Sequence, residues 1–395
     1  GYYGGQRAGS GMVVWHARQL LAKGEINVEQ FMEMTCASAP SVGHCNTMGT
    51  ASSMNAMAEA LGMSLTGCSA IPAPYRERGQ MAYATGRRIV EMVWEDLTPR
   101  KVMTRKAFEN AIFLAAAAGC ASNCPPHVFA IARQLGVELD IKDWELGRDI
   151  PLLVNMQPAG EYLGEEFHRA GGVPAVIKEL IKVGRFHEDA LTVTGLTMGE
   201  NHKTIPFSPD RKVIKPYEDP LKPEAGFCII SGNIFDSAVM KLSVVTPEFR
   251  AKYLDHPEHP GVFDGRAIVF EGPEDYHDRI DDPSLEIDED CFLFIRNVGP
   301  VGYPGAAEVV NMRPPTALIK KGIKALRMDL LVSPEEIEQR RAVLAANPPK
   351  LPPSQTPWQD IYRQFVGQLS TGACLEPAVL YLNVSEKYGL PRRNH

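Results

Sequence analysis

The side chain best placed for chemistry is Cys45. It stands in Gly43-His44-Cys45-Asn46-Thr47-Met48-Gly49-Thr50-Ala51-Ser52, a glycine-flanked turn that runs into a helical stretch. The start of a helix carries partial positive charge and favours a thiolate over a thiol. A thiolate there suits a metal or cluster ligand, or a nucleophile. The plain alternative is a thiol buried at a tight turn. A Cys45–His44 nucleophile pair is disfavoured, because adjacent residues seldom face each other at hydrogen-bonding distance. Glu308 is the second candidate. It follows Asn297-Val298-Gly299-Pro300-Val301-Gly302-Tyr303-Pro304-Gly305, a stiff loop after a strand. A carboxylate behind such a loop can bind Mg²⁺ through oxygen, or it can cap a helix or face solvent.

Other reactive residues point less far. Cys120 and Cys124 could form half of a metal site, but Pro125 and Pro126 follow at once, and two buried thiols are the simpler reading. The chain has no Cys-x-x-Cys pair, which argues against a zinc ribbon. His44, His127 and His168 lack a second histidine one helical turn on, so the zincin pattern is absent. The run Glu286, Asp288, Glu289, Asp290 lacks the glycine and spacing of an EF-hand and reads as a solvated turn. Arg76 and Arg78 could grip a carboxylate, or equally form surface ion pairs.

These residues need elements to hold them. From Gly11 to about Gly199 the pattern is helical, with short apolar runs between. Helices are expected over Met12–Leu21, over Asn27–Met34 with Asn27 as cap, and over Thr47–Met63. Further helices are expected after a capping Thr104, over Pro126–Leu135 and over Gly172–Val183. Pro151–Asn155 reads as a short buried strand. Beyond Pro206 the texture changes to strands at Gly226–Ile230, Arg266–Phe270, Cys291–Ile295 and Met328–Val332, which suggests a small barrel or sandwich. A charged helix over Pro334–Ala346, a proline-rich linker over Asn347–Pro357 and a last helix over Pro357–Leu369 complete the expectation.

The 395 residues suffice for two or three domains at about 150 residues each. With 44% hydrophobic and 23% charged residues, disorder is excluded as the main state. The net charge of −7 leaves no basic footprint for nucleic acid. No run approaches the roughly 18 apolar residues that span a bilayer. Nucleic-acid and membrane partners are therefore not expected. Eight scattered cysteines fit a reducing compartment, and a cytoplasmic location is expected. The opening Gly1-Tyr2-Tyr3-Gly4-Gly5 has neither an initiator Met nor a signal peptide and looks like the middle of something, so the lack of a targeting signal says little.

Taken together, the motifs resemble the family of dihydroxy-acid, phosphogluconate and sugar-acid dehydratases along almost the whole chain. The Gly43–Ala51 string resembles that family's third cluster-ligand motif. Ala107-Phe108-Glu109-Asn110-Ala111-Ile112, Ala121-Ser122-Asn123, Phe167–Pro174, Leu191–Gly195, Ser231-Gly232-Asn233 and Gly302-Tyr303-Pro304-Gly305 also match. Ile71–Arg78 and Leu369–Glu376 are most similar to its pentonate branch. The resemblance implies an α/β protein: an α/β domain with a parallel sheet over 1–205, then a β-barrel-like domain with a helical extension over 206–395. It implies a sugar-acid substrate such as D-xylonate, with L-arabinonate or a wider aldonate range as the alternative. It also implies a [2Fe–2S] cluster, Mg²⁺ and a homodimer or homotetramer. Cys45 would then be a cluster ligand and Glu308 a Mg²⁺ ligand, with His44 and Thr47 beside the substrate.

Three features of the family are missing. Two upstream cluster cysteines and a Cys-Asp-Lys string have no counterpart. The family's base, a serine in a Gly-Asp-Gly-Arg-x-Ser-Gly string, is expected near Lys324–Arg327, where Lys324-Ala325-Leu326 runs straight into Arg327. Either segments are left out of this sequence, with Asn201-His202-Lys203 as another join, or the chain is an inactive structural relative.

Overall fold

The computed structural model describes residues 1–43, 45–230, 238–251, 255, 257–258, 265–295, 313–321 and 327–329. His44, Glu308, the 297–305 loop, the join at 324–326, the 231–233 string and the expected elements from 334 onward lie outside the described residues.

The chain opens with a small antiparallel pair, β1 (Tyr2–Tyr3) and β2 (Gln6–Arg7). Helix α1 (Ser10–Lys23) stops at Gly24, whose left-handed φ of 74° lets its N–H reach back to Leu20 and Leu21. Asn27 caps α2 (Val28–Ser38) as the sequence predicts. Its side chain accepts from Gln30 N at 2.9 Å, while the Gln30 side chain accepts from Asn27 N. The two helices close over Ala8, Val13, Ala17 and Met34.

A larger core follows. It gathers α3 (Thr50–Ala60), α6 (Arg105–Ala118), α7 (Cys124–Leu135) and α9 (Gly172–Lys182) around Met57, Phe108, Ile112, Val176 and Leu180. The alanines at 115–118 are all buried, and their small side chains let neighbours approach closely. Between these helices lie α4 (Arg76–Trp94), α5 (Pro99–Val102) and α8 (Gly164–Arg169). Then come α10 (Met198–His202), the antiparallel strands β3 (Phe227–Ile230) and β4 (Ala238–Lys241), and α11 (Pro247–Phe249).

The parallel sheet expected over 1–205 and the Pro151–Asn155 strand need correcting. Among the described residues up to 205 there is no parallel sheet. Leu152 and Val154 form only isolated bridges, to Lys222 and Ile214. The N–H groups of Leu153 and Val154 go instead to the carbonyl of Ala117 at the end of α6, so the segment never builds a ladder. The parallel sheet comes later. β5 (Ala267–Phe270), β6 (Phe292–Ile295) and β7 (Arg327–Asp329) run in the order β5-β6-β7, with Ala267 opposite Phe292 and Phe292 opposite Arg327. Helix α12 (Pro273–Arg279) joins β5 to β6, and a helical crossover returns a strand parallel where a hairpin would return it antiparallel. No closed barrel occurs among the described residues; this sheet has three strands.

The described residues form two compact units. One holds β1–β4 and α1–α11, with α13 (Thr316–Lys320). The other holds β5, α12, β6 and β7.

Candidate functional site

The helix after Cys45 starts later than the sequence pattern predicts. Gly49 is the N-cap of α3, so Cys45 lies in the preceding loop and not on the first helical turn. The loop is held from three sides by Asn46. Its Oδ1 accepts from Ser10 N at 2.9 Å, its Nδ2 donates to the carbonyl of Ser38 at 2.9 Å, and its own carbonyl accepts from Gly164 N at 2.8 Å. Asn46 thereby ties the start of α1, the end of α2 and the start of α8 to one point. Met48 N adds a bond to the carbonyl of Gln157 at 2.8 Å. Ser52 Oγ donates back to the carbonyl of Cys45 at 3.2 Å. Thr47 is buried, its methyl group beside Gly9. Cys45 itself is exposed.

Cys45 borders a cavity of about 640 Å³, which Ser52, Asn55, Arg78, Glu165 and Glu166 also line. The volume falls within the usual range of small-molecule pockets. Ser69, Ala70 and Ile71 form part of the wall, and Glu59 holds them. The Glu59 carboxylate, on α3, is buried and accepts from Gly67 N at 2.6 Å, Ser69 N at 3.0 Å and Ser69 Oγ at 2.5 Å. Burial pushes this carboxyl above its ordinary range, and the bonds from Ser69 and Gly67 offset only part of that. Arg78 stiffens the same wall, donating to Cys68 Sγ at 3.5 Å and to the carbonyl of Ile71.

Tyr75, Glu165 and Glu166 add polar groups to the lining. Tyr75 Oη donates to Glu165 Oε1 at 2.5 Å, and Arg169 Nη2 reaches both, at 3.1 and 2.7 Å. Arg7 Nε spans both oxygens of Glu166, at 2.8 and 3.0 Å, with its guanidinium 4.2 Å from the centre of the Tyr162 ring. His168 packs edge-on against Tyr75, and burial lowers its pKa.

The two arginines singled out by sequence thus divide. Arg76 is exposed and pairs with its neighbour Glu77 at 3.4 Å, whereas Arg78 faces the cavity. Glu59, Glu165 and Glu166 were not among the sequence candidates. Glu166 had a readable signal, for it sits at the third position of α8 and bonds Leu163 N at 2.9 Å. Glu59 had none, because a glutamate inside a helical stretch normally faces solvent.

Cys120 and Cys124 form a separate buried pair beside Ser53. A hydrogen bond from Cys124 holds the Cys120 thiol below its ordinary range; the same bond and burial push Cys124 up. Lys241 lies near both and donates to the carbonyl of Gly119 at 2.8 Å.

Among the described residues no three His, Cys, Asp or Glu side chains converge on one point. The exposed Cys45 fits one ligand position of a metal–sulfur group, and the described residues do not supply the others.

Two family models match the chain. Residues 2–201 match the dihydroxy-acid/6-phosphogluconate dehydratase N-terminal domain, and residues 212–326 match the corresponding C-terminal domain. The chain belongs to the dihydroxy-acid/6-phosphogluconate dehydratase family. It is 51% identical over 438 residues to a D-xylonate dehydratase of Caulobacter vibrioides, covering 100% of this chain and 73% of the relative. It is 45% identical over 325 residues to an L-arabinonate dehydratase of Rhizobium leguminosarum bv. trifolii, covering 82% and 54%. A dihydroxy-acid dehydratase of Caldanaerobacter subterraneus is 39% identical over 312 residues, covering 78% and 53%. The chain spans about half the length of the latter two. Its alignment with the first runs over more positions than the chain's 395 residues, so that relative carries segments without a counterpart here. No described helix is long and apolar enough to cross a membrane.

Proposed function

We propose that this chain belongs to an enzyme that dehydrates a sugar acid, D-xylonate or a similar pentonate, to its 2-keto-3-deoxy acid. The supporting observation is the cavity bordered by Cys45 in a chain of this family. The reaction has two difficulties: hydroxide leaves poorly, and the proton on C2 is weakly acidic. In this reading Cys45 is one ligand of a [2Fe–2S] cluster and Glu308 a ligand of Mg²⁺; when bound, such metals supply Lewis acidity for the leaving hydroxyl and for the developing charge.

The described residues contribute position and polarity. Asn46 fixes the loop that presents Cys45. Glu59 and Arg78 hold the facing wall. Ser52 and Asn55 offer hydroxyl and amide partners to a polyol, and Tyr75, Glu165 and Arg169 form a ready hydrogen-bonding edge. His44 and Thr47 flank the thiol and belong to the same reading, as does a soluble homo-oligomer.

The assay is production of 2-keto-3-deoxy acid from D-xylonate and from L-arabinonate in parallel, with iron measured on anaerobically purified protein. Turnover of D-xylonate with bound iron is expected, and Cys45→Ser should lose both. Equal rates on the two acids would sink a strict D-xylonate assignment. Absence of iron after reconstitution would favour an inactive relative.

A further inference from the structure

Cys120 and Cys124 take no part in the proposed dehydration, yet the fold brings them together. Gly119 ends α6 in the left-handed region, at a φ of 65°, and Cys120 N returns to the carbonyl of Ala115 at 2.9 Å. Cys124 N then bonds the carbonyl of Ala121 at 3.1 Å, so the chain turns back on itself between the two cysteines. Helix α3 clamps that turn. Ser53 Oγ accepts from Ala121 N at 2.8 Å, and Thr50 Oγ1 accepts from Asn123 Nδ2 at 2.9 Å. The thiols are hydrogen-bonded to each other at a point where neither is exposed. Buried thiols in apolar surroundings are inert, but these surroundings are not apolar. The Ser53 hydroxyl donates to Cys120, and Lys241 on β4 lies near both sulfurs, held there by its bond to the carbonyl of Gly119 at 2.8 Å. An ammonium drawn out of water needs a negative partner. Burial lowers the pKa of Lys241, and the two thiols are what raise it. The bond from Cys124, aided by Ser53 and Lys241, biases Cys120 toward thiolate against its burial, while Cys124 stays a thiol. One sulfur is thus a nucleophile, and its neighbour is placed to supply the second sulfur of a disulfide.

We propose that Cys120 and Cys124 are a modification site for hydrogen peroxide, which closes them to a disulfide. The Cys120 sulfur attacks one peroxide oxygen and the O–O bond breaks. The departing hydroxide becomes water with the proton that Cys120 gave up, and Cys120 is left as a sulfenic acid. The Cys124 sulfur then attacks the Cys120 sulfur, the S–O bond breaks, and a second water leaves with the Cys124 proton. The two electrons lost by the sulfurs reduce the peroxide. Burial selects the oxidant: a small uncharged peroxide enters where oxidised glutathione is too bulky. The exposed Cys36 and Cys45 have no such protection. The site does not depend on the dehydratase reading, since an active or an inactive chain would carry it.

The test treats the folded 395-residue chain with hydrogen peroxide, then denatures it in iodoacetamide. Trypsin releases Ala107–Arg133, a peptide that holds these two cysteines and no other. After peroxide it should appear two hydrogens lighter and unalkylated, and dithiothreitol should restore both alkylation sites. Oxidised glutathione in place of peroxide should leave it alkylated twice. Cys124→Ala should stop at the Cys120 sulfenic acid, which dimedone traps, whereas Cys120→Ala should leave Cys124 unlabelled. Far-UV circular dichroism checks that each variant folds, and the wild-type peptide decides the matter if one does not. A wild-type peptide still alkylated twice after peroxide would overturn the proposal. So would equal dimedone labelling of the two variants, or closure by oxidised glutathione as fast as by peroxide.

Discussion

At the scale of single residues, the unusual group is Glu59. Its partners, Gly67 and Ser69, are neutral donors, so its charge is compensated only by dipoles. Because burial raises its pKa, the folded chain holds the Glu59 proton more tightly than the unfolded chain does. The stability this contributes is fully present below the ordinary value of 4.5 and is lost as pH rises through the raised folded value. Other carboxylates, such as Asp143 beside Arg105, are shifted the opposite way and mask the trend in a raw pH profile. The comparison to make is therefore between wild type and Glu59→Gln, by urea unfolding at several pH values from 5 to 8. Relative to the variant, the wild type should lose stability as pH rises. Parallel curves would show that the buried carboxylate ionises without cost. The candidate site was legible in sequence to the extent that its chemistry was local. Cys45 stood out because a thiol, a turn and a helix start are adjacent in the chain. Glu165 and Arg78 reach the cavity, and Glu59 reaches its wall at Ser69, through folding, and no spacing in the sequence announces that meeting.

At the scale of elements, α6 is pinned through one side chain. Asn110 is fully buried; its Nδ2 donates to the carbonyl of His187 at 3.0 Å and its Oδ1 accepts from His187 N at 2.7 Å. Beside it Glu109 joins Arg105 at 2.8 Å and the His187 ring at 2.6 Å. Asn110→Ala removes both amide bonds and leaves two backbone groups of His187 without that partner. A loss of about 2–4 kcal/mol follows, measurable as a lower urea midpoint with an unchanged slope. A loss below half a kcal/mol would mean that water replaces the amide. Helix ends with strong local chemistry, such as Asn27 before α2 and Gly172 opening α9, matched the sequence pattern closely. Thr104 precedes α6 as expected but makes no side-chain cap bond. The long α4 was not singled out, because Gly79 and Gly86 lower its helix propensity and its apolar stripe faces away from the core. The Pro151–Asn155 run is buried like a strand, but its Leu153 and Val154 amides are drawn to the end of α6, a competition that lies outside the segment's own sequence.

At the scale of the whole molecule, each compact unit has its own buried polar anchor. In the first it is Asn110. In the second it is Tyr276, fully buried, whose Oη donates to the carbonyl of Arg313 at 2.5 Å and accepts from Arg313 N, with its ring edge-on to Phe270 at 5.3 Å. Those bonds tie α12 to the segment before α13, so Tyr276→Phe should cost about 1–3 kcal/mol within that unit. A chain with two cores need not unfold in one step. Two urea transitions are expected, followed by tryptophan fluorescence and by far-UV circular dichroism. Trp144, packed against Phe227 at 5.0 Å in the larger core, reports the first unit. Asn110→Ala should lower the midpoint of the first transition in both probes, because that unit holds most of the described helices. Tyr276→Phe should lower only a second transition, seen by circular dichroism and silent in Trp144. If both substitutions move a single transition detected equally by the two probes, the units fold as one cooperative body, and a defect in either would be felt at the Cys45 cavity.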